Sequence, residues 1–180
     1  SSGMAAESAL FLAHGRDGIV CIGDAYGGTL ELLGKQLPLL GIATHLLLAS
    51  ELERLDALLA GGARLVFLET PTNPTLEVFD IRAIARRAHA HGALLAVDNT
   101  FASPVNQRPL ELGADLVTHS ATKYLGGHSD LTAGALMGAT ELLMPVWEWR
   151  KNLGSMIAPA AASLLSRSLR TLVVRVRQHN

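Results

Sequence analysis

Short apolar runs alternate with amphipathic stretches along the whole chain. Gly18 to Ile22, Thr44 to Leu48, Arg64 to Leu68, Leu94 to Val97, Asp115 to Val117 and Ala133 to Met137 are runs of aliphatic residues bounded by turn formers, which predicts six strands. Between them, Glu51 to Ala60 places Leu52, Leu55, Leu58 and Leu59 on one helical face. Asp80 to His91 does the same with Ile81, Ile84, Ala85 and Ala88, opened by an N-cap aspartate and closed by Gly92. A helical pattern through Ala5, Ala9, Leu10 and Leu12 follows Ser2-Gly3-Met4. One long helix is expected from Pro159 to Gln178 on the stripe Leu165, Leu169, Leu172 and Val176. Strands that are almost continuously apolar are buried on both faces. The alternation therefore predicts an α/β fold of three layers, with a mainly parallel sheet between helices. No repeat, low-complexity tract or linker divides the chain, so residues 1–180 read as one domain.

Composition narrows the function. The net charge is -1, and no basic tract interleaves with aromatics, so nucleic-acid binding is not expected. No apolar run reaches spanning length and no basic cluster opens the chain, so no membrane role is expected. Cys21 alone makes no internal disulfide, fits a reducing cytoplasm, and is expected to pack within its strand between Val20 and Ile22.

In open α/β sheets, ligands bind beyond the carboxyl ends of the strands. Polar residues gather at those places: Tyr26 after the first strand, Glu69 and Asn73 after the third, Asp98 closing the fourth, and Ser120, Thr122 and Lys123 after the fifth. Lys123 is one of three lysines in a chain that otherwise takes its positive charge from arginine. A lysine able to form a Schiff base, with an acid able to hold a pyridinium nitrogen, is the protein half of pyridoxal phosphate (PLP) chemistry. Apolar walls around Lys123 would favour the neutral, nucleophilic amine. Asp98 has an alternative role, capping a turn with Asn99 and Thr100. Ser2-Gly3-Met4 offers free N–H groups to a phosphate, or simply begins a helix; Ser120 and Thr122 would add hydroxyls. Tyr26-Gly27-Gly28-Thr29 supplies a stacking ring or a turn with a packed tyrosine, and Glu69 to Pro74 is a proline-bounded turn.

Rival motifs are weaker. Ser120 and Lys123 match the S-x-x-K of serine acyl-enzyme hydrolases, but only Ser129-Asp130-Leu131 stands in for S-D-N, and K-T-G is absent. Neither a G-x-G-x-x-G nor a Walker A loop is present. His89 and His91, two apart on a helix, are poor joint metal ligands and are expected to be solvated. His119 and His128 flank the lysine without any accompanying metal motif.

Longer motifs carry a specific resemblance. Val97-Asp98-Asn99-Thr100-Phe101-Ala102-Ser103-Pro104, Leu112-Gly113-Ala114-Asp115, Ser120-Ala-Thr-Lys123-Tyr124 and Gly127-His128-Ser129-Asp130 strongly resemble the Cys/Met-metabolism family of PLP enzymes. Ser2-Gly3-Met4-Ala5-Ala6, Tyr26 to Thr29, Glu69 to Pro74 and Leu169 to Leu172 fit it too, so the resemblance spans essentially the whole chain. It implies the large domain of a fold-type-I, aspartate-aminotransferase-like enzyme. In it Lys123 would be the Schiff-base lysine and proton shuttle, and Asp98 the pyridinium partner. Tyr26 would stack on the ring and assist proton transfer, and Asn73 would bond the ring-hydroxyl side. Gly3, Met4, Ser120 and Thr122 would hold the phosphate, with Glu69 behind them. The implied reaction is β- or γ-elimination or replacement on a sulfur amino acid, in a cytoplasmic homotetramer built as a dimer of dimers. Ser168 and Ala133 stand where the family commonly has glycine. The family's N-terminal segment and C-terminal domain are not matched here, so a piece that keeps the PLP-binding fold without turnover is the second expectation.

Overall fold

A computed structural model describes residues Ser1–Asn180, and its six strands form one sheet of order β2-β1-β3-β4-β5-β6. These are β1 (Ile19–Ile22), β2 (Thr44–Leu47), β3 (Leu65–Glu69), β4 (Leu94–Asp98), β5 (Leu116–Ser120) and β6 (Gly134–Gly138). The first five are parallel, while β6 pairs antiparallel with β5 along the edge. All six expected strands form, and β5 runs three residues beyond Val117 because the polar Thr118, His119 and Ser120 continue the ladder with β6.

Side chains alternate across a strand, so the sheet has two distinct faces. Ile19, Cys21, Leu65, Phe67, Ala96 and Leu116 pack with Leu10 and Phe11 of α1 (Gly3–His14) and with Leu33 and Leu37. Phe11 meets Phe67 edge-on at 5.0 Å between ring centroids. On the opposite face, Val20, Ile22, Val66, Leu68, Leu95, Val97 and Val117 pack with Leu55 and Leu59 and with Ile81, Ile84, Ala85 and Ala88. Leu33 and Leu37 belong to a helical run made of α2 (Gly27–Glu31), a wider turn Leu32–Gln36 and α3 (Leu37–Leu39). Leu55 and Leu59 lie on α4 (Leu55–Ala60), and the second set lies on α5 (Ile81–Ala90), whose N-cap Asp80 accepts from the Ala83 N–H. The three-layer arrangement follows from these two faces.

Beyond β4 the chain forms α6 (Ser103–Asn106), α7 (Thr140–Asn152), α8 (Pro159–Leu169) and α9 (Leu172–His179). The single helix expected over Pro159 to Gln178 is thus two. The Arg170 and Thr171 N–H groups bond carbonyls three residues back, and the Thr171 hydroxyl and the Arg175 guanidinium both donate to the Ser168 carbonyl, which ends the ladder. Leu169, placed on the buried stripe by spacing, is 45% exposed. His89 is exposed, as expected, and His91 is half-buried; each also has a carboxylate partner. His89 Nε2 lies 2.9 Å from Asp115 and His91 Nε2 3.3 Å from Asp56, so both tie α5 to neighbouring elements. Cys21 is buried as expected, and burial pushes its thiol up to about 12. No helix is long and apolar enough to cross a membrane.

Candidate active site

The alternation that buries Phe67 and Ala96 under α1 continues to the strand ends, where the residues become polar. Glu69 and Asp98 are register partners on β3 and β4, and Asp98 pairs in turn with Thr118 on β5. A cleft of about 580 Å3 opens there, floored by these strand ends and walled by the start of α1 and the loop after β5. Its lining includes every residue singled out from the sequence: Gly3, Met4, Tyr26, Asn73, Asp98, Ser120, Thr122 and Lys123.

Backbone hydrogen bonds fix the lysine loop. The Lys123 N–H donates to the Ser120 carbonyl at 3.0 Å, and Gly127 donates back to Lys123. The Thr122 hydroxyl donates to the Ala133 carbonyl and accepts the Ala133 N–H, bracing the loop on β6; a phosphate would compete for that hydroxyl proton. Arg175 of α9 donates to the carbonyls of Tyr124 and Ser168, pinning the loop from the other side. Lys123 itself is exposed and belongs to no ion pair, so the apolar walls considered above do not surround it. No hydrogen bond joins it to Ser120 Oγ, which leaves the acyl-enzyme reading without an activated nucleophile.

Helix α1 begins at the cleft because Ser2 caps it, its hydroxyl accepting from the Ala5 N–H at 3.0 Å. The N–H groups of Gly3 and Met4 have no acceptor within the helix. A Cβ on Gly3 would stand 2.9 Å from Ser120 Cβ, so glycine is what lets α1 approach the end of β5 this closely.

Tyr26, at the N-cap of α2, is 51% exposed and so is not the packed turn tyrosine that was the alternative reading. Its N–H donates to Glu69 at 2.8 Å, which seats the tyrosine beside the cleft. Burial and the nearby Asp98 charge push Glu69 up to about 7. Asp98 is 6% exposed, and burial raises its carboxyl although Thr100 donates its N–H to it at 2.8 Å. Asp98 thus accepts a bond within the Asn99-Thr100 turn and also lines the cleft.

One residue of this site had no sequence signal attached to it. Glu7 lies one turn after Gly3 on α1, is 3% exposed and accepts from the Thr29 hydroxyl at 2.5 Å. Burial, then the Asp98 charge, raise it well above the ordinary carboxylate range. The signal available was the i, i+4 spacing from Gly3, which places both on the face turned to the sheet.

The match to known proteins is now specific. Residues 1–180 match a family model described as Cys/Met metabolism PLP-dependent enzyme. The chain belongs to that family. It is 43% identical over 182 residues to a cystathionine beta-lyase of Lactococcus lactis subsp. cremoris, covering 100% of this chain and 48% of the relative. Identity is 44% over 181 residues with a Bacillus subtilis cystathionine gamma-synthase/O-acetylhomoserine (thiol)-lyase, covering 99% and 48%. The crystal structure of a Lactobacillus plantarum cystathionine gamma-lyase complexed with L-serine matches with a TM-score of 0.90 and 39% identity, over 96% of this chain and 46% of that one. The chain spans about half the length of the curated relatives it matches.

The residues present fit the cofactor of a Cys/Met metabolism PLP-dependent enzyme. Three buried carboxyls, Glu7, Glu69 and Asp98, line the cleft with no cation paired to them, which suits a protonated ring nitrogen. The same cleft offers two free helix N–H groups, of Gly3 and Met4, and the Ser120 hydroxyl, which suits a phosphate.

Proposed function

We propose that the whole protein is a PLP-dependent enzyme that breaks or forms a C–S bond of a sulfur amino acid by β- or γ-elimination or replacement. Its substrates would be cystathionine, methionine or an O-activated homoserine. The observation that carries this reading is one cleft lined together by an uncompensated carboxyl cluster, a lysine in no ion pair and a helix N-terminus. Bound there, PLP supplies an aldehyde to capture the substrate amine and a ring that accepts electrons from the α-carbon. Lys123 carries the cofactor and moves the proton at the substrate α-carbon. Asp98 holds the ring nitrogen, Tyr26 stacks on the ring and assists proton transfer, and Asn73 bonds the ring-hydroxyl side. Gly3, Met4, Ser120 and Thr122 form the phosphate cradle, and Glu69 orients Tyr26.

A homotetramer working in the cytoplasm completes the reading. Exposed Leu39, Leu40, Met144 and Trp147 support it, being apolar surface that an assembly would cover. Incubating the PLP-loaded full-length protein with cystathionine, methionine or an activated homoserine, with and without cysteine, tests the function. Steady release of keto acid or thiol, or formation of cystathionine, is expected. A loaded protein that turns over none of them overturns the reading and leaves a non-catalytic PLP-binding fold.

Gly3→Ala tests the phosphate cradle. The added methyl must push α1 away from Ser120, so PLP affinity is expected to fall about tenfold, the value of one or two charge-assisted hydrogen bonds. Equilibrium dialysis measures it. Affinity unchanged within twofold would remove α1 from the cradle.

A further inference from the structure

Glu7 is a buried acid that the proposed chemistry leaves without a task. It sits on α1, 3% exposed, with its carboxyl held by the Thr29 hydroxyl, and it lines the same cleft as the buried Asp98, whose charge helps to raise it. Two carboxylates buried in the lining of one cleft do not readily both ionise, so the pair holds one proton. The surroundings decide where. Asp98 accepts the Thr100 N–H, a group that can only donate and so favours the charged form, while the partner of Glu7 is the Thr29 hydroxyl, which can equally accept from a carboxylic acid. The proton therefore belongs on Glu7.

We propose that Glu7 is a positioning residue for Asp98, its carboxylic acid donating the hydrogen bond that keeps Asp98 ionised against a cationic ring nitrogen. The inference rests on the assignment of Asp98 as ring-nitrogen partner. Without Glu7, a buried Asp98 keeps the Thr100 N–H as its only donor and moves toward its neutral form, which has no charge to offer a pyridinium. A carboxamide at position 7 keeps a donor for Asp98; an aliphatic side chain does not.

The test compares binding of PLP and of its 1-deaza analogue, in which C–H replaces the ring nitrogen, to the full-length protein at neutral pH. Wild-type protein is expected to prefer PLP, and Glu7→Gln to keep that preference within about threefold, since a neutral donor replaces a neutral donor. Glu7→Leu is expected to lose about tenfold or more in PLP affinity with the analogue's affinity unchanged, the scale of a hydrogen bond to a charged group. An equal loss for both ligands makes Glu7 a packing residue and overturns the inference, as does a Leu variant that keeps the wild-type preference or a Gln variant that behaves like Leu. Wild-type protein that binds both ligands equally overturns the Asp98 assignment, and the inference with it.

Discussion

Lys123→Ala is expected to lower turnover by about a thousandfold or more while leaving the melting temperature unchanged. Removing a proton-transferring group costs on the order of 10²–10⁴ in rate, and this residue is assigned the covalent link to the cofactor as well. The fold does not depend on it. Lys123 is exposed and in no ion pair, and its loop is held by the backbone bonds Lys123 to Ser120 and Gly127 to Lys123 and by the braces from Thr122 and Arg175. Substitutions at such exposed positions change stability by about 0.5 kcal/mol or less. The paired measurement is kcat and thermal unfolding on one preparation. Hydride reduction of the loaded wild-type protein should also leave the pyridoxyl group on the peptide containing Lys123. A variant within tenfold of wild-type turnover, or reduction that labels another peptide, would end the assignment.

The parts of this fold that were legible in sequence are those where local pattern and tertiary burial agree. Val20, Ile22, Val66, Leu68, Leu95 and Val97 are aliphatic on one face, while Cys21, Phe67 and Ala96 are apolar on the other, so both-sided burial shows in the strands themselves. α5 was equally plain, with its capping aspartate and a single apolar stripe. α2, α3 and α7 were not. Gly27, Gly28, Gly34 and Pro38 punctuate the first stretch, and Pro145 lies inside α7, so local propensity argues against helices that packing on the sheet imposes. The break at Thr171 was hidden for the opposite reason. The apolar spacing runs through it, and only the convergence of Thr171 and Arg175 side chains on the Ser168 carbonyl reveals the stop. In the site, residues at strand ends were found because topology gathers them there. Glu7 was missed because it approaches from a helix, and its meaning comes from Asp98, 91 positions later in the chain.

Asp98→Ala is expected to move activity and stability in opposite directions. Breaking a buried charge pair costs about 3–5 kcal/mol, so turnover should fall by roughly a hundredfold to a few thousandfold once the ring nitrogen has no anion beside it. Stability follows the sign of the carboxyl's shift. Burial holds Asp98 above the ordinary carboxylate range. A group whose folded value is raised destabilises the fold at every pH above its unfolded value, increasingly as pH rises through the folded one. At neutral pH burial of Asp98 is therefore a cost to the unliganded fold, as is burial of Glu7 and Glu69, both shifted the same way. Removing it leaves the Thr100 N–H short of an acceptor, at about 1–3 kcal/mol, and relieves the repulsion within the acid cluster. The two oppose one another, so the unliganded variant should melt at or above the wild-type temperature at pH 8, with the difference shrinking toward pH 5 as the wild-type acids take up protons. With PLP the order should reverse, because only the wild type gains the full stabilisation of a tightly bound ligand. Thermal unfolding at both pH values, with and without PLP, reads all four cases. If the unliganded variant melts well below wild type at pH 8, Asp98 serves the fold rather than the cofactor; if turnover survives within tenfold, the ring nitrogen has another partner.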